Sequence, residues 1–388
     1  MRYNRATVLL IAILAVAWIV EATRPTAAMP PFAQAYGMDC QVCHSIVPAL
    51  NAYGRYVQRT GYASLDPTTI HRAMPVWVGE QVLYDTSNAA EPHQLIWGNL
   101  SVHAAGFIGT DWTYHFHGWI RANDGPGFYD TIWITDNNLL HRDGHLFLGK
   151  IEAPAPSPFS QFFDLTGFNT PAITVGEHTW PFATNRWGSK LAYTRNWLTA
   201  EVAYLGPSGD LGGTNGASDW GSSTEKTMQW RVVDSVGYKP LELGAYGGVG
   251  TFPTSDGMID RYNGAALYAE LDPTRGVPGM LAIYQRGQDG HAGAGLGAAT
   301  STAYSAEVWE PLLDNQVIVA YRHEFTNDGL GTAAHFDYIN GAWFVAHHVS
   351  DNGANGLILN LQATLNQGAT PTWQGQLWYA TTIGHLRR

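Results

Sequence analysis

The sequence predicts an all-β fold, a transmembrane antiparallel β-barrel of about 16 strands, on three observations. Runs of roughly ten residues with alternating polar and apolar side chains follow one another from Val76 to the end of the chain. Connections rich in Gly, Asn, Asp and Pro separate these runs and fall into a short and a long class. Charged residues make up only 14% of the chain, while Trp (15) and Tyr (19) are abundant, which fits a barrel with an apolar exterior.

The clearest alternation lies in the run that begins at Trp112. Its apolar face consists of Trp112, Tyr114, Phe116 and Ile120, and its polar face of Thr113, His115, His117 and Arg121. The runs at 198–204 and 357–366 also alternate, and period two with one apolar face is the pattern of a half-buried strand. A soluble β-sandwich is the alternative, but its strands average five or six residues, whereas tilted transmembrane strands need about ten.

The connections and the strand ends refine this prediction. Short connections at 237–240 and 272–279 contrast with a long one at 206–226, as expected of periplasmic turns and extracellular loops. Sixteen to eighteen strands are predicted, because the segment 172–180 reads either as a strand or as part of a Pro-rich loop. The aromatic residues that we expect in the interfacial girdles are Trp187, Trp230, Tyr262, Trp309 and Tyr379.

The N-terminus carries an export signal. Arg2 and Arg5 precede an apolar run from Val8 to Val20, and small residues at 26–28 supply a cleavage site, which predicts a signal peptide at 1–28. A membrane anchor is the alternative, but the run is short for a bilayer-spanning helix. We therefore expect an exported chain that lies in the cell outer membrane, in contact with its lipid.

Composition also excludes partners and reactions. The net charge of -11, with only 21 Lys plus Arg, argues against nucleic acid as a partner. We find no Ser/His/Asp or paired-carboxylate constellation, and the glycine-rich stretch 244–250 lies in a strand pattern without a following helix. The sequence therefore does not predict a hydrolase or a nucleotide-binding enzyme.

Both cysteines of the chain lie in the sequence CQVCH, at Cys40 and Cys43 with His44 next to them. A disulfide, a redox-active thiol pair and a zinc site are alternatives, but no second Cys pair and no βαβ pattern supports the last two. The C-x-x-C-H arrangement is specific for haem attachment, in which two thiols bind the vinyl groups of a haem and the adjacent imidazole ligates its iron. The motif thus predicts one covalent haem c, with His44 as the proximal ligand.

The segment that follows supplies a helix and candidate distal ligands. Leu50, Tyr53 and Val57 recur at helical spacing after Pro48, and Gly61 ends the run. Met74 is the first distal candidate and His71 its rival, although Met74 also reads as an ordinary core side chain. The segment 29–75 is too short to build its own haem pocket, so we expect it to plug a barrel formed by 76–388.

Polar side chains of the predicted barrel offer further site residues. If 109–111 is a hairpin loop, His103 pairs with His117, and both face the lumen with His115. These imidazoles either ligate the haem, tune its potential or are simply hydrated lumen residues. A second set of candidates for Fe(II) attraction is acidic, namely Asp210, Asp219, Asp256, Asp260 and Asp289.

The N-terminal motifs resemble those of a known family. The lead FAQAYGMD at 32–39, the CxxCH motif, PALNAYG at 48–54 and the Gly61–Tyr62 pair before a barrel are similar to the fused monohaem c-type cytochrome–porins of iron-oxidising bacteria. The resemblance covers about forty residues in sequence, and the rest of the chain only in architecture. It carries over to Cys40, Cys43 and His44.

This resemblance implies a function. It implies oxidation of extracellular Fe(II) and transfer of electrons through the haem to a periplasmic c-type cytochrome or copper protein, an oxidoreductase-type electron transfer. Two alternatives remain open, an outward electron conduit with the same architecture and a porin whose haem segment only plugs a solute channel. The haem potential, which the sequence does not determine, would distinguish Fe(II) oxidation from the outward conduit.

Overall fold

A computed structural model of the chain describes residues 32, 35–38, 42–46, 49–70, 76–85, 94–122, 125–156, 170–171, 173–179, 185–195, 198–206, 226–234, 240–274, 276–313, 317–350, 353–366 and 371–383. In these ranges sixteen long strands form a closed antiparallel barrel. The strands β1 to β16 are Val76–Asp85, Gln94–Ile108, Trp112–Ala122, Gly125–Leu139, Gly144–Ile151, Arg186–Arg195, Leu198–Leu205, Lys226–Asp234, Leu241–Pro253, Ile259–Leu271, Gly279–Asp289, Ala299–Leu312, Val317–Asn327, Ala333–Ser350, Gly353–Asn366 and Thr372–Ile383.

Each strand pairs with its neighbours in sequence, and the last strand closes the ring on the first. Ile383 of β16 faces Val76 of β1, and the pairing continues to Gln374 opposite Asp85. The segment 172–180 is outside the ring, since Thr174–Val175 pairs only with His178–Thr179 in a small hairpin. The barrel formed by the described residues therefore has sixteen strands, the lower of the predicted counts.

The two faces of the strands are the reverse of those of a soluble protein. On β7, Thr199 and Glu201 are buried in the barrel while Val202 is exposed. On β10 the outward Leu267 is 65% exposed and the inward Glu270 is buried. An apolar exterior around a polar interior is the arrangement of a transmembrane barrel.

Two of the predicted girdle aromatics lie on the inner face instead. Tyr262 and Trp309 are both buried, Tyr262 with its hydroxyl bonded to Thr227 and Trp309 against Gly279, where a Cβ would lie 2.0 Å from the indole. The prediction was wrong for these two, because the position along a strand does not show which face a residue occupies. Tyr379 is 48% exposed, as expected of a girdle residue.

The connections divide between the two ends of the barrel. The end at which β1 begins and β16 finishes, called the inner end, has short connections such as 109–111 and 196–197. The other end, called the outer end, carries the long connections 152–185 and 206–225. This is the predicted asymmetry of periplasmic turns and extracellular loops.

In the described part of the N-terminal segment the longest α-helix, α1, is Ala52–Arg59, and a 3₁₀ turn lies at Pro67–Thr69. The helix begins later than the spacing after Pro48 suggested, because Asn51 caps it and Ala49–Leu50 pairs with His44–Ile46 as a short hairpin. In the parts of the chain that the structure describes, no helix is long and apolar enough to cross a membrane.

Candidate functional site

Helix α1 is bound to the barrel wall by buried charges. The Arg55 guanidinium, 1% exposed, contacts Glu242 (3.1 Å), Glu270 (2.8 Å) and Asp272 (2.8 Å) on β9 and at the end of β10. Arg59 contacts Glu242 as well, and the backbone NH of Ala52 donates to Asp272 Oδ2 at 2.9 Å. These residues form the inner cluster, which holds the helix inside the lumen near the inner end.

Apolar and aromatic contacts complete this attachment. One continuous core joins the N-terminal segment to side chains of β2, β4, β5, β6 and β7. Its members from the segment are Phe32, Val57, Tyr62 and Leu65, with Tyr36, Met38 and Tyr53 packed against them. Phe32 and Tyr62 meet edge-to-face with ring centroids 4.6 Å apart. The described part of the N-terminal segment therefore shares one packed core with the barrel wall.

The residues of the PALNAYG motif tie helix α1 to the cysteine motif. The side chain of Asn51 accepts from Gly54 N at 2.9 Å and donates to the Val42 carbonyl at 3.2 Å, while its backbone NH donates to the Cys43 carbonyl at 2.9 Å. A Cβ on Gly54 would lie 2.0 Å from that same carbonyl oxygen, so only glycine permits this approach. The motif is thus held against the start of the helix.

The described part of the CxxCH motif fits a covalently bound haem. His44 is buried, Cys43 is partly exposed with a free thiol, and Tyr53 and Met38 belong to the adjoining core. Burial raises the pKa of the Cys43 thiol to about 11, which is opposite to the lowered pKa of redox-active thiol pairs. The donor set, a thiol with an adjacent imidazole beside an apolar wall, is chemically right for haem c. Cys40, His71 and Met74 lie outside the described residues, as does the signal peptide.

The three lumen histidines lie where the hairpin register placed them. His103 is opposite His117, and their rings stack with centroids 3.7 Å apart. Tyr62 of the N-terminal segment bonds to His115 Nδ1 at 2.6 Å, and the Thr113 hydroxyl donates to the Gly61 carbonyl. All three histidines are buried. Tyr62 couples them to the segment that carries the CxxCH motif, but these contacts assign them no role in binding a metal.

A second group of buried polar residues lies at the outer end, where sequence reasoning found only part of it. Asp260 is the second residue of β10 and Asp289 the last of β11, and the structure brings both to His178 of the small hairpin. All three residues are buried. We call these three residues the outer triad. Asp256 lies beside them in the connection 254–258, while Asp210 and Asp219 are outside the described residues. His178 was missed; the turn residue Gly176, two positions before it, was the available signal.

Comparison with known proteins supports the fold. No protein-family model matches the sequence. No curated protein matches it either. Solved structures with the same fold include an anion-selective porin from Comamonas acidovorans, 14% identical with a TM-score of 0.51 over 79% of this chain and 98% of the porin. OmpF of Salmonella typhi in complex with daunomycin is 11% identical with a TM-score of 0.53, over 79% of this chain and 97% of OmpF.

A third likeness points the same way. The outer-membrane channel DcaP of Acinetobacter baumannii is 11% identical, with a TM-score of 0.51 over 80% of this chain and 96% of DcaP. The shared feature is the porin-like barrel of outer-membrane channels. With its apolar outward face, this fold indicates the outer membrane as the location of the chain.

Proposed function

We propose that the chain is an outer-membrane electron-transfer protein that holds one haem c inside its barrel and takes electrons from extracellular Fe(II). Electrons pass to a periplasmic acceptor, a c-type cytochrome or a copper protein. The observation that carries the proposal is the attachment of the Cys43–His44 motif, through Asn51, Gly54 and the arginines of α1, to the inner wall of the barrel.

The residues have separate tasks in this function. Cys40 and Cys43 would form the thioether bonds, and His44 would be the proximal iron ligand. A bound haem supplies one-electron chemistry between its ferric and ferrous states. His71 and Met74 stay distal candidates, and His103, His115 and His117 stay candidates for ligation or for tuning through the Tyr62 contact.

Arg55 and Arg59 would position helix α1 and take no part in electron transfer. Between them they face three carboxylates in a buried network, and such a network is destabilised strongly when one partner is removed. The pairing specifies one seating of α1 in the lumen. It therefore sets the depth at which the motif lies near the inner end, facing the periplasmic acceptor.

A haem-plugged porin is the second candidate, favoured by the likeness to solute channels of the same fold. The packing of the N-terminal segment into the lumen core opposes a wide solute path at this level of the barrel. The two functions differ in what they move, electrons or solutes, and one preparation of the protein can test both.

The test begins with protein matured in a host that attaches c-type haem and purified in detergent without oxygen. We expect covalent haem in the wild type and none in the Cys40→Ala/Cys43→Ala variant. Adding Fe(II) near neutral pH to the oxidised protein should produce the spectrum of reduced haem. Reduction by dithionite but not by Fe(II) would refute iron as donor, and solute flux into liposomes carrying the same protein would favour the porin.

A further inference from the structure

The outer triad has the composition and burial of a cation site. His178 Nδ1 lies 2.8 Å from Asp289 Oδ1 and 3.9 Å from Asp260 Oδ2, and one ligand atom from each residue lies within 4.8 Å of the other two. Ligands bound to one ion at about 2.1 Å are roughly 3 Å apart when adjacent. The three side chains therefore need only small movements to surround an ion.

A buried oxygen in this group lacks a hydrogen bond. Asp260 is fully buried, its Oδ1 accepts from the backbone NH of His291 at 2.8 Å, and its Oδ2 has no hydrogen-bond partner among the described residues. That oxygen is directed toward His178, whose Nδ1 lies 3.9 Å away. A buried carboxylate oxygen without a partner is costly unless a proton or a cation satisfies it.

The chain holds His178 in place with dedicated contacts. Glu177 accepts from Ser255 N (2.7 Å), Ser255 Oγ (2.7 Å) and Ala294 N (3.0 Å), which clamps the small hairpin to the connections 254–258 and 290–298. These hydrogen bonds lower the pKa of Glu177, so the clamp is ionised at neutral pH. The rings of Tyr262 and Phe252 lie 4.2 Å and 5.1 Å from the His178 ring and orient it.

A partly exposed pair connects the triad with the surface. His291 Nε2 lies 2.8 Å from Asp256 Oδ2, with side chains 18% and 27% exposed, and the backbone of the same histidine bonds to Asp260. An ion that arrives from outside meets carboxylate and imidazole groups at the rim before it reaches the buried triad. The pair thus offers ligand groups between the surface and the buried triad.

We propose that His178, Asp260 and Asp289 bind a divalent first-row transition-metal ion at the outer end of the lumen. Two carboxylates and a neutral imidazole balance a charge of two, and one nitrogen with carboxylate oxygens suits Fe(II), Co(II), Mn(II) or Zn(II) better than the all-oxygen preference of Mg²⁺ or Ca²⁺. The assignment of Fe(II) as the bound ion rests on the proposed function, whereas the existence of the metal site does not.

The triad is spatially separate from the haem-bearing segment. Asp260 and Glu270 lie ten residues apart on β10, so the two ends are about 33 Å apart along the strand. The contact between Glu270 and Arg55 places α1 at the inner end of this strand. A cation that enters from the outer side therefore reaches the triad before it reaches the N-terminal segment. The triad concentrates the ion at the outer end of the barrel, whereas electron transfer belongs to the inner segment.

Titration of the detergent-solubilised holoprotein with Co(II), without oxygen, tests the site. We expect one saturable calorimetric site with a change in the visible Co(II) spectrum, weakened about 100-fold or more in His178→Gln, Asp260→Asn and Asp289→Asn. Asp328→Asn, on another outer connection, is the matched control and should bind as the wild type does. Heat-modifiable mobility on gels shows which variants have folded barrels. We expect Asp260→Asn to fold, because the substitution removes a buried charge.

Two outcomes would overturn the proposal, no saturable Co(II) binding by the wild type or equal binding by the folded triad variants. A second arm uses Fe(II): at low Fe(II) the triad variants should reduce haem more slowly than Asp328→Asn, with reduction by dithionite unchanged. Equal rates would overturn the assignment of Fe(II) to the site. If the wild type binds Co(II) but Fe(II) never reduces its haem, the proposed function fails while the metal site stands.

Discussion

Strand β10 carries a buried carboxylate near each end, and the two carboxylates differ in the groups that surround them. At the inner end, Glu270 is neutralised within the chain by Arg55. At the outer end, Asp260 faces a second carboxylate, Asp289, and a histidine, without an arginine or lysine pair among the described residues. The comparison teaches that a buried acid is structural where the chain supplies its cation, and a candidate ligand where it does not.

The largest effect should come from breaking the inner network. Arg55→Met leaves three buried carboxylates with only Arg59, so we expect the seating of α1 to weaken by about 3–5 kcal/mol. Chemical denaturation and limited proteolysis of the N-terminal segment measure the loss. Arg142→Met is the control, because its pair with Asp111 is exposed and contributes about 0–1 kcal/mol. Equal losses in both variants would contradict a special role for the inner cluster.

An intermediate effect should follow from uncoupling the lumen histidines. His115→Ala removes the partner of the buried Tyr62 hydroxyl, which should cost about 1–3 kcal/mol. If these histidines tune the haem through Tyr62, the spectrum or midpoint potential also shifts, as potentiometric titration would show. His323→Ala, which removes a histidine on the outward face of β13 that is bonded to Asp337 instead, serves as the control and should leave the potential unchanged. Unchanged spectrum and potential in His115→Ala would remove the histidines from the haem site.

The smallest effect concerns the rim pair at the outer end. Hydrogen bonds from Thr254 and His291 lower the pKa of Asp256 from 3.8 to about 2. A carboxylate whose pKa is lowered in the folded state stabilises the fold at pH values above its ordinary pKa. That contribution disappears as the pH falls from about 4 to about 2. The difference in melting temperature between wild type and Asp256→Asn should thus be small at pH 6 and shrink at lower pH. A difference that grows on acidification would disprove this linkage.

Local and hairpin-range features were predictable from the sequence, whereas the buried charge clusters at the two ends of the barrel were predictable only in part or not at all. The CxxCH spacing, the helical periodicity at Tyr53 and Val57 and the pairing of His103 with His117 are local or hairpin-range patterns. The contacts of Arg55 span more than 180 positions, and no sequence pattern relates that arginine to Glu242 or Asp272. The outer triad likewise joins residues from a long connection and from two strands.

The sequence by itself determined the barrel, because period-two alternation and the lengths of connections follow from strand geometry and from the thickness of the membrane. It also determined the chemistry available at CQVCH, since that chemistry depends on three neighbouring side chains. Only the tertiary structure decided which buried charges meet. Closing sixteen strands into a ring turns one face of each strand inward and brings distant positions together. Val42 and Cys43 of the CQVCH motif are held by Asn51 and Gly54 to the start of helix α1. Arginines fix that helix to the inner end of the barrel, far from the outer triad.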